Sequence, residues 1–317
     1  MTKNVLFPII ILNLFLCNFL LKAQDPQFTQ FYANPIYLNP AFSGTARCPR
    51  ICINYRNQWP NISGNYVTYS ASYDQHVDAI NGGLGINVMQ DNQARGTLNS
   101  TSVNLMYSYL LPINRLFSLK FAIQGGFFQK SLDKTKLSFG DMIDARWGFI
   151  WNTNELIPQT NKQGFDAGAG VLGYTKNYFF GAAFHHITQP DQGLLGTSKL
   201  PLKITAHAGA IIPLEKGNES YISPNILFMK QQKFSTLNLG VYFVKGSFVG
   251  GLWYRSSDAF IILIGLQNDY IKVGYSYDVT VSKLSNNTAG SHELSLQMQF
   301  KCKPKIKKFR TVNCPSF

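Results

Sequence analysis

Five histidines, His76, His185, His186, His207 and His292, and four of the five cysteines, Cys48, Cys52, Cys302 and Cys314, are the residues with the most chemical potential. The histidines are scattered. His185 and His186 are adjacent, so on an extended strand they point to opposite faces and cannot jointly grip a metal or a nucleophile. No Gly-x-Ser-x-Gly elbow, Walker loop or His-Glu-x-x-His helix occurs in the sequence. His207 or His292 with a neighbouring serine would make a hydrolase dyad, but in serine-rich segments such pairs arise by chance. Asp141 and Asp144 suggest a calcium site. Two carboxylates are too few for an ion that takes about six to eight oxygens. The expectation is a chain with no catalytic residues, no metal and no cofactor.

The Cys48/Cys52 spacing resembles half a zinc site, yet no histidine cluster stands near Cys302 or Cys314. An even number of cysteines suits disulfides if the chain is exported, and four cysteines allow three pairings, which stay open. The N-terminus argues for export. Lys3 supplies a positive start, residues 5–21 an apolar core, and Leu21-Lys22-Ala23 a cleavage site before Gln24. A membrane anchor is the other reading, but Pro8, Asn13 and Asn18 interrupt it; Cys17 lacks the small neighbours of a lipoprotein signal. The net charge of +13 is concentrated near the end, where Lys301, Lys303, Lys305, Lys307, Lys308 and Arg310 run without an acidic residue. Export argues against nucleic acid. Such a tail suits anionic lipid, an acidic partner or plain solvation.

The elements that would position these groups are strands. Charged residues make up only 14 % of the chain and aromatics another 14 %, yet no stretch after residue 23 is apolar for the length of a membrane helix. Instead, short segments alternate. In 98–111, Val103, Leu105, Tyr107, Tyr109 and Leu111 oppose Ser100, Ser102, Asn104 and Ser108. In 116–130, Phe117, Leu119, Phe121, Ile123 and Phe127 oppose Ser118, Lys120, Gln124 and Lys130. The pattern predicts about fourteen strands, near 50–57, 66–76, 82–90, 98–111, 116–130, 165–174, 177–187, 202–213, 219–229, 236–245, 247–256, 259–268, 270–279 and 291–301. Alternate connections are mostly short and long, the tight Ser257-Asp258 turn excepted, as in an all-β transmembrane antiparallel barrel with both termini periplasmic.

Residues 25–49 do not alternate. The run Asn34-Pro35-Ile36-Tyr37-Leu38-Asn39-Pro40-Ala41-Phe42-Ser43-Gly44 makes turns, because each proline restricts its predecessor and lacks a donor. It cannot be a membrane strand and is expected to lie in the lumen as a hatch. The expected organisation is a signal peptide (1–23), hatch (24–49), outer-membrane barrel (50–301) and basic, cysteine-bearing periplasmic tail (302–317).

These residues resemble the PorP/SprF family of Bacteroidota outer-membrane proteins, linked to type IX secretion and gliding motility. The resemblance rests on residues 24–31, Gln-Asp-Pro-Gln-Phe-Thr-Gln-Phe, and on Asn34, Pro35, Asn39, Pro40, Ala41 and Gly44 after them. Tyr55-Arg56-Asn57-Gln58-Trp59, Ser70-Ala71-Ser72-Tyr73-Asp74, Gly82-Gly83-Leu84-Gly85 and Gly274-Tyr275-Ser276-Tyr277-Asp278 extend it over the chain. The resemblance implies an accessory that helps to export or anchor a large surface protein such as an adhesin. Its implied partners are outer-membrane lipid, that exported protein, and periplasmic or lipoprotein parts of the machine. The family is similar in architecture to the fourteen-stranded fatty-acid-transporter barrels, which have a hatch with an Asn-Pro-Ala element. That likeness implies the alternative of a hydrophobic-ligand or small-molecule transporter.

Overall fold

A computed structural model describes residues 25–155, 159–214, 220–256, 258–281 and 288–301. The period-two pattern folds as fourteen antiparallel strands: β1 (Arg50–Gln58), β2 (Tyr66–Val77), β3 (Gly82–Gln93), β4 (Leu98–Pro112), β5 (Ser118–Leu132), β6 (Asn161–Tyr174), β7 (Tyr178–His185), β8 (Lys203–Ala210), β9 (Ser220–Gln231), β10 (Phe234–Lys245), β11 (Phe248–Arg255), β12 (Ala259–Gln267), β13 (Ile271–Thr280) and β14 (Ser291–Gln299). Ile212–Pro213 continue β8 and pair with β9. Sequence neighbours pair throughout, and β1 meets β14 from Arg50 opposite Gln299 to Gln58 opposite Ser291. The sheet closes into a barrel, the arrangement that spares a membrane-spanning sheet the cost of unpaired edge groups in hydrocarbon. No helix among the described residues is long and apolar enough to cross a membrane.

The burial pattern is that of a soluble protein turned inside out. Leu105, Ile123, Phe260, Ile262 and Ile264 face outward and exposed, whereas Asp74, Asn87, Ser108, Lys120 and Glu293 are buried inside. Lipid takes the place of the missing apolar core on the outer face. Register enforces this assignment, since a one-residue slip would turn each charged side chain toward lipid.

Both ends of the barrel chain lie at one mouth, the termini mouth, because Arg50 stands beside Gln299. The connections 78–81, 113–117, 175–177 and 268–270 are at that mouth. The longer connections after β5, β7 and β13 leave from the opposite loop mouth. Several boundaries differ from the sequence pattern, and two of them have a clear local cause. Strand β6 starts at Asn161 instead of 165, since Asn161 to Gly164 keep register with Ser131 to Phe128 of β5. Strand β7 stops at His185, where the positive φ of His186 (60°) bends the chain out of the sheet.

Residues 25–49 fill the lumen. Two 3₁₀ turns, Phe31–Ala33 and Pro40–Phe42, flank one helical turn, α1 (Pro35–Leu38). Pro35 and Pro40 each sit at a first helical position, where a missing N–H costs nothing. Phe31, Tyr32, Ile36, Leu38, Ala41 and Phe42 form a buried cluster with Leu172, Phe179, Tyr242 and Trp253 of the wall. Each large side chain contributes about 1.5–3 kcal/mol by leaving water. The expected signal peptide and the tail, with Lys303, Lys305, Lys307, Lys308, Arg310, Cys302 and Cys314, lie outside the described residues.

Candidate functional site

The hatch is held at three levels by luminal side chains. At the termini mouth, Arg50 on β1 forms a bidentate pair with Asp74 on β2, its Nε and Nη2 at 2.9 and 3.1 Å from the carboxylate oxygens. Asp74 also accepts the Gly44 N–H at 2.7 Å, and the Lys120 ammonium donates to the Ser43 carbonyl. Gly44 has φ +68°, and a Cβ there would stand 2.7 Å from the Cα of Gly83. Glycine is thus required both by conformation and by the close approach of hatch to wall.

At mid-lumen the two asparagines of the hatch do the binding. The Asn34 amide donates to Ser70 Oγ at 2.8 Å. Asn39 accepts the Ala41 N–H at 2.9 Å, capping its 3₁₀ turn, while its amide reaches the Val171 carbonyl at 3.0 Å and His207 Nε2 at 3.1 Å. That reach needs bare wall. A Cβ on Gly170 or Gly181 would lie 2.1 Å from Asn39 Oδ1 or 2.9 Å from Nδ2. Phe42 stacks on the His207 ring with centroids 5.2 Å apart.

Toward the loop mouth, Glu293 on β14 accepts the backbone N–H groups of Thr29 and Gln30 at 2.6 and 3.0 Å. Arg56 bridges Glu293 at 3.1 Å and Asp278 at 2.8 Å, and also donates to Thr29 Oγ1. Arg255 reaches Asp278 and Asp258 at 3.4 and 3.1 Å. Opposite, His186 is held between Asp166 (2.6 Å) and Asp25 (2.7 Å), and Lys203 lies 3.3 Å from Asp25. Burial opposes charge on His186, but the Asp25 and Asp166 carboxylates outweigh it and push its pKa up to about 9. Burial likewise opposes the Asp25 carboxylate, and His186 and Lys203 together hold it well below the usual range. Taken out of water, such charges are tolerable only because each is paired and hydrogen-bonded.

Asn34, Pro35, Asn39, Pro40, Ala41 and Gly44 are therefore brought together as one plug. The adjacent histidines do not stay on opposite faces of one strand, because β7 ends between them. His185 Nε2 lies 3.3 Å from the Leu38 carbonyl, and His186 turns into the mouth. His292 contacts the Tyr275 hydroxyl at 2.8 Å. Asp141 and Asp144 are occupied by their own loop: Asp141 accepts the Thr153 hydroxyl and Asn154 N–H, Asp144 the N–H groups of Arg146 and Trp147. Cys52 is a free, buried thiol on the inner face of β1, 3.9 Å from Gln297 Oε1, which removes it from the disulfide candidates. Of the clamping charges, Asp25, Arg56, Asp74 and Asp278 lie in the motifs that carry the resemblance, but sequence alone assigned no clamping role to them or to Arg50, Lys203 and Glu293. A parity count would have found the strand members among them: a charge on the face opposite the lipid stripe has to be luminal.

The family model described as the type IX secretion system membrane protein PorP/SprF matches residues 20–298. No curated protein sequence matches. Among solved structures, the chain is similar to the P. putida toluene transporter TodX (10 % identity, 84 % of this chain and 93 % of that one, TM-score 0.49). It is also similar to the CymD monoaromatic hydrocarbon channel (12 % identity, 85 % and 93 % covered, TM-score 0.47). A third is the Acinetobacter baumannii outer membrane protein Omp33 (9 % identity, 80 % and 100 % covered, TM-score 0.45).

Proposed function

Since the chain belongs to the PorP/SprF family of type IX secretion system membrane proteins, an outer-membrane barrel, we propose that it is a non-catalytic docking partner that helps to export or anchor a large surface protein such as a gliding adhesin. The observation that carries this reading is the locked hatch. Ion pairs and backbone hydrogen bonds fix residues 25–49 at both mouths, so the lumen is occupied by the chain's own peptide. Such clamps suit a rigid platform, whereas a hatched transporter would have to release them to pass its ligand.

In this reading the signal peptide is removed and both termini face the periplasm. The long loops then face outward. Loop 133–160 presents Trp147, Phe149, Ile150 and Trp151 as exposed apolar groups suited to an exported protein. The basic tail, from Lys303 to Arg310, contacts periplasmic or lipoprotein components.

The test is a mild-detergent pull-down of the tagged protein from its own outer membrane, with and without residues 302–317. The expected result is near-stoichiometric recovery of a large surface protein and secretion components, with the machine components lost on tail deletion while the barrel still shows heat-modifiable migration. Retention of every partner by the deletion variant would refute the tail assignment. A barrel recovered alone would overturn docking and favour the small-molecule transporter.

A further inference from the structure

Beneath the hatch at the termini mouth is a cavity of about 70 Å³ that none of the clamps uses. Its roof is Gln30, Tyr32 and Ala33, and its apolar walls include Tyr242, Val244, Val249 and Leu263. Room for one water takes roughly 10–15 Å³ on this measure, so the space admits a short chain. It exists partly because Gly265 and Gly274 are paired in register and leave the wall of β12 and β13 bare. A side chain on Gly274 would strike Gln30, with its Cβ 2.5 Å from Oε1.

Among the described residues one charged group lines this cavity, the Lys272 side chain. It is opposite Gln297 and Gln267 in register, and neither carries charge. Among the described residues no hydrogen bond or ion pair joins it to a carboxylate, and its charged neighbour is Arg50, a second cation. The nearby acids are engaged elsewhere: Asp74 with Arg50, and Glu293 with Arg56 and the hatch backbone. A half-buried ammonium without a counter-charge keeps an unmet preference for an anion. Elsewhere in this lumen Arg50, Arg56, Arg255 and Lys203 all meet carboxylates. At this cavity the apolar wall and the unmatched cation together describe the complement of a short amphiphilic anion.

We propose that the cavity binds a short-chain monocarboxylate, its carboxylate on Lys272 Nζ beside Gln297 and its tail against Tyr32, Tyr242, Val249 and Leu263. Entry is from the termini mouth, below the hatch, so the clamps need not open. The site is independent of the docking role and stands or falls separately.

Calorimetry and saturation-transfer NMR on the folded full-length barrel in a non-ionic detergent test it with hexanoate as probe, and with hexylamine and hexanol as matched controls. Hexanoate is expected to bind saturably, at least tenfold more tightly than either control. Lys272→Met keeps the bulk and removes the charge, so hexanoate should weaken at least tenfold, while Lys272→Arg should restore most of it. Val249→Phe, which fills the tail region, should weaken hexanoate but leave acetate unchanged. Heat-modifiable migration checks that each variant is folded. Equal binding of hexanoate and hexylamine, unchanged binding by folded Lys272→Met, or no saturable hexanoate binding to the wild type would each overturn the proposal.

Discussion

Arg50 and Asp74 are each about 1 % exposed, and between them they tie two strands to the end of the hatch. Removing one partner of such a pair strands a buried charge, which costs about 3–5 kcal/mol, whereas replacing both by apolar groups is often close to neutral. Asp74→Ala is therefore expected to lower barrel stability in urea by about that amount, because it also orphans the Gly44 N–H. Adding Arg50→Met to Asp74→Ala should recover most of the loss. A double variant as unstable as the single one would show that the carboxylate acts through Gly44 and not through charge pairing. His186 gives a pH signature at the other mouth. Its pKa is raised to about 9, so the charged form is the one the fold favours. The contribution is complete below the ordinary histidine value of roughly 6.5 and is lost as pH rises through about 9. Asp25 has a depressed pKa and keeps its charge across this whole window. A spin label at Gln27→Cys should be immobile at neutral pH and gain mobility above about pH 9. In His186→Ala that step should vanish, with the label mobile throughout. A pH step that persists in His186→Ala would assign the transition to another group.

The strands were legible because lipid on one side and a polar lumen on the other impose a strict period of two, as in Leu294 and Leu296 against Glu293, Ser295 and Gln297. The hatch was legible as a non-strand because Pro35 and Pro40 preclude a ladder. What the sequence could not show is which charges meet. Asp278 and Arg56 are 222 residues apart, and their 2.8 Å contact follows only from barrel closure. His186 was misplaced for a local reason, a left-handed residue that ends a strand two positions early. Closure also narrows the cysteine pairing. The Phe300 N–H donates to the Pro49 carbonyl at 2.9 Å, so the chain leaving β14 starts beside Cys48, while Cys52 is buried and free. The expected disulfide is Cys48–Cys302, which would staple the barrel where its ends meet. A non-reducing peptide map checks it, and Cys302 joined to Cys314 with Cys48 unlinked would overturn it. In the chain-entropy account, a loop of this length adds roughly 5 kcal/mol.

At the scale of the whole molecule, a barrel with a filled lumen must obtain its rigidity and its occlusion from the same segment. Wall and hatch share one buried cluster, so removing residues 25–46 deletes Phe31, Tyr32, Ile36, Leu38 and Phe42 at once and also exposes the luminal charges. Those charges are tolerable in water, because the lumen would flood, and the outer face remains matched to lipid. The strand ladder is then sufficient to hold the wall, since each strand pairs on both sides. The full-length protein in planar bilayers is accordingly expected to be silent, and the variant lacking residues 25–46 to give discrete conductance steps with a heat-modifiable barrel. If the full-length protein conducts as well, the clamps at Glu293, Asp74 and His186 do not keep the hatch seated, and the barrel is a channel whose plug moves. If the deletion variant folds yet stays silent, the wall itself collapses inward, and the hatch is a core that the barrel is built around.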